Sequence, residues 1–422
     1  MVTVHDEDSG PSEIFSMPNI RHLRIVESVG RNSSISRAAV EVSLSQPAVT
    51  QAIAKMEAAV GRPLFDRASN GSYLTAAGEV FLHRVRRFLD QSDRAIRDLH
   101  SVDADRGHAS HITSTQIRCL IAIAQSTSFS QAARTVGIST ASLHRAAREL
   151  EANVRKPLYR TSKHGLVLTA QGSELARKLG LAIREIQAAE DDIRSLDGIE
   201  SGKIVIGALP MSGAYLIGAT IAKLTNSFPE ARIYVTNSPY GVLLNSLRTG
   251  AIDIIFGVLR RPDWAVDLQE EALFSDPYCI IGRSGHPLSS RSTISTSDLL
   301  DYEWIIPGEG SPRRRQYDAL FNGIDRRPRV SLETSSLSTI RSVISCSDRL
   351  TLVNRHEVET EERMDMLSVL PWTSSFPPMA KGITTRADWL PTPIQQRFIN
   401  LLRNHAQDVA AYPAPELLST AS

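Results

Sequence analysis

The chain has 422 residues, 47 Lys/Arg against 46 Asp/Glu, 42% hydrophobic and 22% charged residues, which excludes a single small module and a disordered chain and predicts two to three domains. Its three cysteines, Cys119, Cys279 and Cys346, are too few for a disulfide framework and stand at no metal-ligand spacing, so they are expected to be buried or inert thiols in a reducing compartment. No apolar run approaches the roughly 20 residues a membrane span needs, and the acidic first residues carry no apolar signal core; the expected location is cytoplasmic, with no membrane partner.

The net charge of +1 hides a gradient. Nine Lys/Arg stand against five Asp/Glu from Ile20 to Arg86, and ten against three from Ser114 to Gly180, so the remainder of the chain is acidic. A basic N-terminal half suits contact with a polyanion. The same two stretches match each other at an offset of 94 residues without a gap. Ser36, Ala38 and Ala39 fall on Ser130, Ala132 and Ala133; Ser45, Glu57, Pro63 and Leu64 fall on Ser139, Glu151, Pro157 and Leu158; Gly71, Leu74, Thr75 and Gly78 fall on Gly165, Leu168, Thr169 and Gly172. The chain therefore contains one module twice.

Within the first copy, Ile20, Leu23 and Val26 predict a helix to about Val29, followed by a short helix with Ala38 and Ala39 at its crossing. Ser43-Leu44-Ser45 is a turn, Ser45 a cap, and Pro47 sits where a helix tolerates it, so a third helix should run from Gln46 to about Val60. This is a helix-turn-helix arrangement whose expected DNA contacts are Gln46, Pro47, Thr50 and Gln51, because Gln pairs bidentately with adenine and Thr contacts a base or the thymine methyl. Pro63-Leu64-Phe65 and Tyr73-Leu74 predict two short strands forming a wing, with Arg67 for a phosphate. Thr75 caps a long helix from Ala76 to about Leu99, whose apolar stripe calls for a partner helix.

Residues 33–39, 44–50, 61–67 and 74–78 resemble the winged helix-turn-helix of LysR-type transcriptional regulators. The second copy resembles it less closely: Thr140, Ala141 and Arg155 stand where that family usually has Gln, Pro and Gly, and Thr161 replaces the wing arginine. Such regulators ordinarily carry one reader. The second copy is a second DNA reader through Ser142, His144, Arg145 and Arg148, a spacer, or a protein-interaction module; its basic excess favours phosphate contact. A second long helix, Ala170 to about Leu196, is expected to be the main dimer helix.

From Gly202 strands alternate with helices, predicting βαβ units and a mainly parallel sheet. Gly202 to Gly207, Phe228-Pro229-Glu230, residues 247–253, His286-Pro287-Leu288 and residues 333–337 resemble the effector domain of the same family, which implies two α/β lobes like a periplasmic substrate-binding protein. Ser347 to Leu350 departs from the glycine-rich turn common there. The expected domains are winged helix-turn-helix 17–76, long helix 77–100, linker 101–110, winged helix-turn-helix 111–170, long helix 171–198 and effector domain 199–410, with one lobe at about 199–282 and 381–410 and the other at about 283–380.

Open α/β sheets bind ligands beyond the carboxyl ends of their strands. The expected effector contacts are therefore Met211, Ser212, Gly213, Ser238, Pro307 and Ser335, suited to a carboxylate or hydroxylated metabolite, although each serine is also a natural helix cap. The run Arg313-Arg314-Arg315 lies nearby, and such runs are more usually solvated. No nucleophile elbow, phosphate loop, zinc-protease motif or paired Cys/His set occurs, so no enzyme activity, cofactor or metal is expected. The expected function is a DNA-binding transcriptional regulator acting as a homo-oligomer, dimer or tetramer, on double-stranded DNA and answering to a small-molecule effector. The alternative is a small-molecule binding protein or enzyme whose N-terminal repeats mediate assembly.

Overall fold

The structure is a computed structural model that describes residues 17–100, 112–162, 165–211, 214–260 and 265–411. The expected linker at 101–110 lies outside the described residues. The chain divides into two compact units, the boundary falling between Ser201 and Gly202.

In the first unit the module appears twice. The first copy has α1 (Ile20–Asn32), α2 (Ile35–Glu41), α3 (Gln46–Val60), a hairpin β1 (Phe65–Ala68) and β2 (Gly71–Leu74), and α4 (Ala76–Arg97). The second has α5 (Ser114–Gln125), α6 (Phe129–Val136), α7 (Thr140–Val154), a hairpin β3 (Tyr159–Ser162) and β4 (Gly165–Leu168), and α8 (Ala170–Ser195). Local chemistry repeats with the offset. Ser34, Ser45 and Thr75 cap α2, α3 and α4, and Ser128, Ser139 and Thr169 cap α6, α7 and α8, each hydroxyl accepting an amide that the helix leaves unpaired. Glu57 Oε1 accepts the amides of Leu64 and Phe65, and Glu151 Oε1 those of Leu158 and Tyr159, tying each recognition helix to its wing. A Cβ on Gly78 would lie 2.0 Å from the Leu64 carbonyl oxygen, and one on Gly172 2.2 Å from that of Leu158, so only glycine lets the wing sit on the long helix. Where α3 ends at Gly61 with φ 75°, α7 ends at Arg155 with φ 49°; a side chain in the left-handed region costs about 1 kcal/mol there.

The long helices pack against each other, antiparallel. Contacts join position 84 to 192, 91 to 185 and 98 to 178, one number rising as the other falls. One hydrophobic core runs from Leu23 and Val49 through Phe81, Val85 and Phe88 of α4 and Leu175, Leu179 and Ala182 of α8 to Leu143 and Leu150. The stripe of α8, expected to seat against a second chain, is thus filled by the first copy's long helix.

The second unit contains β5 (Gly202–Ala208), α9 (Ala214–Ser227), β6 (Ala231–Asn237), α10 (Tyr240–Arg248), β7 (Ile254–Val258), β8 (Leu268–Asp276), β9 (Tyr278–Arg283), α11 (Thr296–Leu299), β10 (Trp304–Ile306), α12 (Pro312–Leu320), β11 (Val330–Glu333), α13 (Leu337–Ser345), β12 (Thr351–Asn354), α14 (Glu359–Arg363), β13 (Leu367–Val369), β14 (Met379–Arg386) and α15 (Pro393–Ala411). One lobe is built on the sheet β6-β5-β7-β14-β8. Its β5 pairs parallel with β6 and β7, but β14 pairs antiparallel with β7 and β8, so the sheet is mixed rather than mainly parallel. Ile204, Ile206 and Phe256 meet Leu216 and Leu224 of α9 and Phe398 and Leu402 of α15 in its core. The other lobe holds the antiparallel sheet β12-β9-β13 and the parallel pair β10-β11, with Trp304, Tyr317 and Phe321 in its core.

The chain crosses between lobes at Pro277 and again before Met379, earlier than the expected limits at 282 and 380, because β9 is hydrogen-bonded to β12 and β13 of the second lobe. Cys119 and Cys279 are buried as expected, with burial pushing the Cys119 thiol up to about 11, whereas Cys346 at the end of α13 is exposed.

Candidate nucleic-acid interface and effector cleft

On the first recognition helix the core takes Val49, Ala52, Ile53 and Met56. This spacing turns the other face outward and leaves Gln46, Pro47 and Gln51 exposed, with Thr50 half-buried between them. Ser43 adopts φ 54° in the turn before the helix, which lets α2 and α3 cross on the small Ala38 and Ala39. Arg67 is exposed on the wing, in register opposite Ser72.

The second recognition helix buries Leu143, Ala146, Ala147 and Leu150. Ser142, Arg145 and Arg148 are exposed. Arg145 Nε lies 2.8 Å from Glu149 and Arg148 Nη1 2.9 Å from Glu151; pairs whose arginine is this solvated contribute little and yield readily to a phosphate. His144, expected to be exposed, is half-buried and stacked on Phe129 at 4.5 Å between ring centroids, which seats it on α6 rather than leaving it free to probe a groove.

A charged core lies between the long helices. Glu185 is buried and takes Arg84 at 2.7 Å, Arg87 at 2.8 Å and Gln91 at 3.0 Å, while Arg84 also reaches Asp192 at 2.7 Å. Burial alone would push the Glu185 carboxyl up; hydrogen bonds from Arg87 and Arg84 hold it below the usual glutamate range.

In the second unit the residues singled out at strand ends divide. Met211 follows β5 with φ 57° and packs against Cys279, Ile281 and Ile305 of the other lobe. Ser238 is buried directly after β6, and Pro307 directly after β10. The Thr334 amide donates to the Ile306 carbonyl at 2.8 Å, so the loops carrying Pro307 and the half-buried Ser335 lie side by side. The helix cap there is Ser336, not Ser335. Ser212 and Gly213 lie outside the described residues.

Arg313 is not on a solvated face. Its Nη1 lies 2.9 Å from Met211 Sδ and 3.7 Å from Glu357 Oε2, joining α12 to the loop after β5. Arg260 is stacked over Tyr240 with its guanidinium carbon 4.3 Å from the ring centroid; burial lowers its pKa, and the nearby Arg315 lowers it further. The hydroxyls of Tyr240 and Tyr278 are buried without a hydrogen-bond partner among the described residues. Burial pushes Tyr278 up to about 12, so it is a neutral donor at physiological pH. Two arginines and two unsatisfied phenols suit an anion or a hydroxylated molecule.

Where the chain crosses between lobes, Lys381 of β14 is fully buried. Its Nζ lies 2.7 Å from Asp276 Oδ2 and 2.9 Å from Glu357 Oε1. Burial would lower its pKa, but Glu357 and Asp276 hold it above the usual lysine value. Sequence reading missed this group, because an isolated charge in a strand carries no periodic signal. Among the described residues no cluster of His, Cys, Asp or Glu is arranged to hold a metal, and no helix is long and apolar enough to cross a membrane.

Comparison with known proteins covers both units. The family model for the LysR substrate binding domain matches residues 197–407. The model for the bacterial regulatory helix-turn-helix protein, lysR family, matches twice, at 20–79 and 114–173. The HTH-type transcriptional regulator GalR of Pseudomonas putida KT2440 is 28% identical over 378 residues, 89% of this chain and 94% of that protein. The uncharacterized HTH-type transcriptional regulator YdcI of Escherichia coli K12 is 25% identical over 288 residues, 68% of this chain and 94% of its own. Among solved structures, a full-length OxyR variant from Pseudomonas aeruginosa superposes with a TM-score of 0.52 at 22% identity, covering 70% of this chain and 95% of that one, which shows a shared fold.

Proposed function

Because the chain belongs to the LysR family of bacterial helix-turn-helix regulators, and is a DNA-binding transcriptional regulator with an effector domain, we propose how its parts share that work. Gln46, Thr50 and Gln51 read base edges in the major groove, and Arg67 holds a phosphate beside them. The effector carries an anionic or hydroxylated group and binds between the lobes, among Met211, Ser238, Pro307, Ser335, Arg260 and Arg313. The observations that carry the cleft assignment are Arg313 held on Met211 in the loop after β5, Arg260 stacked on Tyr240, and the two partnerless buried phenols of Tyr240 and Tyr278.

Ligand entry biases how the lobes close, and a regulator responds through that differential affinity. Homo-oligomer formation is assigned to the effector unit, where edge strand β6 and helix α10 expose Tyr234, Val235 and Val242. The protein works in the cytoplasm and catalyses no reaction. The test is selection of duplex DNA from a random pool by the full chain, followed by binding measured at 50 and 200 mM salt with and without a panel of small carboxylates. Selected sequences bound with a steep salt dependence, and shifted by at least one carboxylate, are expected. Absence of any selected sequence would overturn the assignment of the readers, and indifference to every anion would overturn that of the cleft.

A further inference from the structure

The two copies of the module are not merely consecutive; their contacts obey an exchange rule. Replacing each residue by its counterpart 94 positions away turns the pair Arg84–Asp192 into the pair Lys178–Asp98. Both ion pairs exist, at 2.7 Å and 2.6 Å. Gln91 and Glu185 are counterparts of each other, and they are hydrogen-bonded at 3.0 Å. Ile20 and Ser114 are also counterparts, and the Ile20 amide donates to Ser114 Oγ at 2.9 Å while that hydroxyl donates to the Pro18 carbonyl at 2.8 Å. Contacts that map onto reciprocal contacts, or onto themselves, define a twofold interface. Here the two sides belong to one chain.

We propose that a single chain carries a complete two-reader unit, its modules paired in cis about an axis passing between Gln91 and Glu185, and that this unit binds an inverted repeat whose two halves differ in sequence. The proposal rests on the DNA-binding reading above and adds the stoichiometry and the form of the site.

Charge selects the pairing within the chain. If α4 met a second α4 in this register, Gln91 would face Gln91, and the Arg84 and Arg87 pairs would lose the buried carboxylate that serves them. If α8 met a second α8, two Glu185 carboxylates would face each other in a buried seam. The first keeps Asp98 opposite Arg84 but lacks the carboxylate that Arg84 and Arg87 share, and the second sets two buried carboxylates against each other, which is strongly unfavourable. Only α4 against α8 gives Glu185 its three donors. Both helices belong to one chain, so their high effective concentration favours the pair within it over the same pair between two chains.

The second consequence concerns DNA. A paired helix-turn-helix unit meets two half-sites, and the symmetry of the site mirrors that of the protein. The reading residues here are unlike: exposed Gln46 and Gln51 with half-buried Thr50 on α3, against exposed Ser142, Arg145 and Arg148 on α7. Gln prefers adenine and Arg prefers guanine. The wings differ as well, with Asp66 and Arg67 in the first standing where the second has Arg160 and Thr161. The favoured site therefore has one half read through glutamine and threonine and one read through arginine.

Two measurements on the full chain test this. First, the selection from random duplex DNA is repeated with Gln46→Ala and with Arg145→Ala. Each substitution is expected to relax preference roughly tenfold, in one half of the site only, and in opposite halves. A symmetric site in which both halves answer to Gln46→Ala and neither to Arg145→Ala, or a site with a single half, would overturn the proposal. No selected sequence at all would overturn the DNA-binding reading instead, and the second measurement still decides the pairing. In it, Asp98→Cys and Lys178→Cys are combined on a Cys346→Ser background, which removes the exposed native thiol, and the product is treated with a bifunctional maleimide. Cross-linked single chains that migrate faster on a denaturing gel are expected. Covalent dimers, or no cross-link, would overturn pairing in cis.

Discussion

Gln91 Nε2 donates to Glu185 Oε1 at 3.0 Å, and the two residues hold the same position in the two copies of the repeat. One duplicated position has thus become a neutral donor on one side of a buried seam and a carboxylate on the other. Arg84 and Arg87 close around the carboxylate from the first long helix, so the two copies have diverged at a position where they meet.

The first prediction follows from the burial of that group. Glu185→Ala removes the buried carboxylate that Arg84, Arg87 and Gln91 share, leaving Arg84 to Asp192, and is expected to cost about 3–5 kcal/mol, whereas Asp98→Ala, which breaks the solvated Lys178 pair, should cost less than about 1 kcal/mol. Hydrogen exchange of the α4 and α8 amides reads the difference; equal effects would show that the buried group is not what holds the helices.

The same carboxylate carries a pH dependence. Its folded pKa is depressed, so the stability it contributes is present above the usual glutamate value of 4.5 and is lost as pH falls through its lower folded value. Helix separation measured from pH 6 downward should therefore steepen below about 4.5, and Glu185→Gln should remove that part of the slope.

For DNA, Gln46→Ala is expected to relax sequence preference while preserving most of the non-specific affinity. Arg67→Ala should weaken all sequences about equally and lower the salt slope by about 1. Titrations of a selected and a scrambled duplex at several salt concentrations separate the two. Unchanged affinity and preference in Gln46→Ala would remove the first helix from the reading role.

In the effector unit, Arg313→Ala takes away a cation of the proposed effector site but leaves Glu357 paired with Lys381. It should abolish thermal stabilisation by an anionic ligand without changing DNA affinity. Retained stabilisation would place the anion elsewhere.

Lys381→Met takes the buried cation from Asp276 and leaves Glu357 only the longer 3.7 Å contact with Arg313, and a loss of about 3–5 kcal/mol is expected in urea unfolding of this unit. Because the lysine pKa is raised, its contribution persists below the usual value of 10.5 and disappears as pH rises through the folded value, so wild type should lose the advantage over the variant only in strong alkali.

What was legible in the sequence was local and periodic. The 94-residue register is read from the chain alone, and the caps Ser45 and Thr75 and the spacing of Val49, Ile53 and Met56 each act within one or two turns, so such signals need no knowledge of the fold. The strand-to-helix alternation after Gly202 was legible for the same reason. Tertiary structure alone decided what fills the stripes of the two long helices, because an apolar face specifies that it must be covered and not by which copy. It also decided the antiparallel direction of β14, the early crossing at Pro277 and the retreat of His144 onto Phe129. Glu185, Lys381 and Arg313 read as ordinary surface charges in sequence. Their partners stand 94 to 101 residues away for Glu185, 24 and 105 for Lys381, and 44 and 102 for Arg313, and a charge reveals that it is buried only when packing has brought those partners to it.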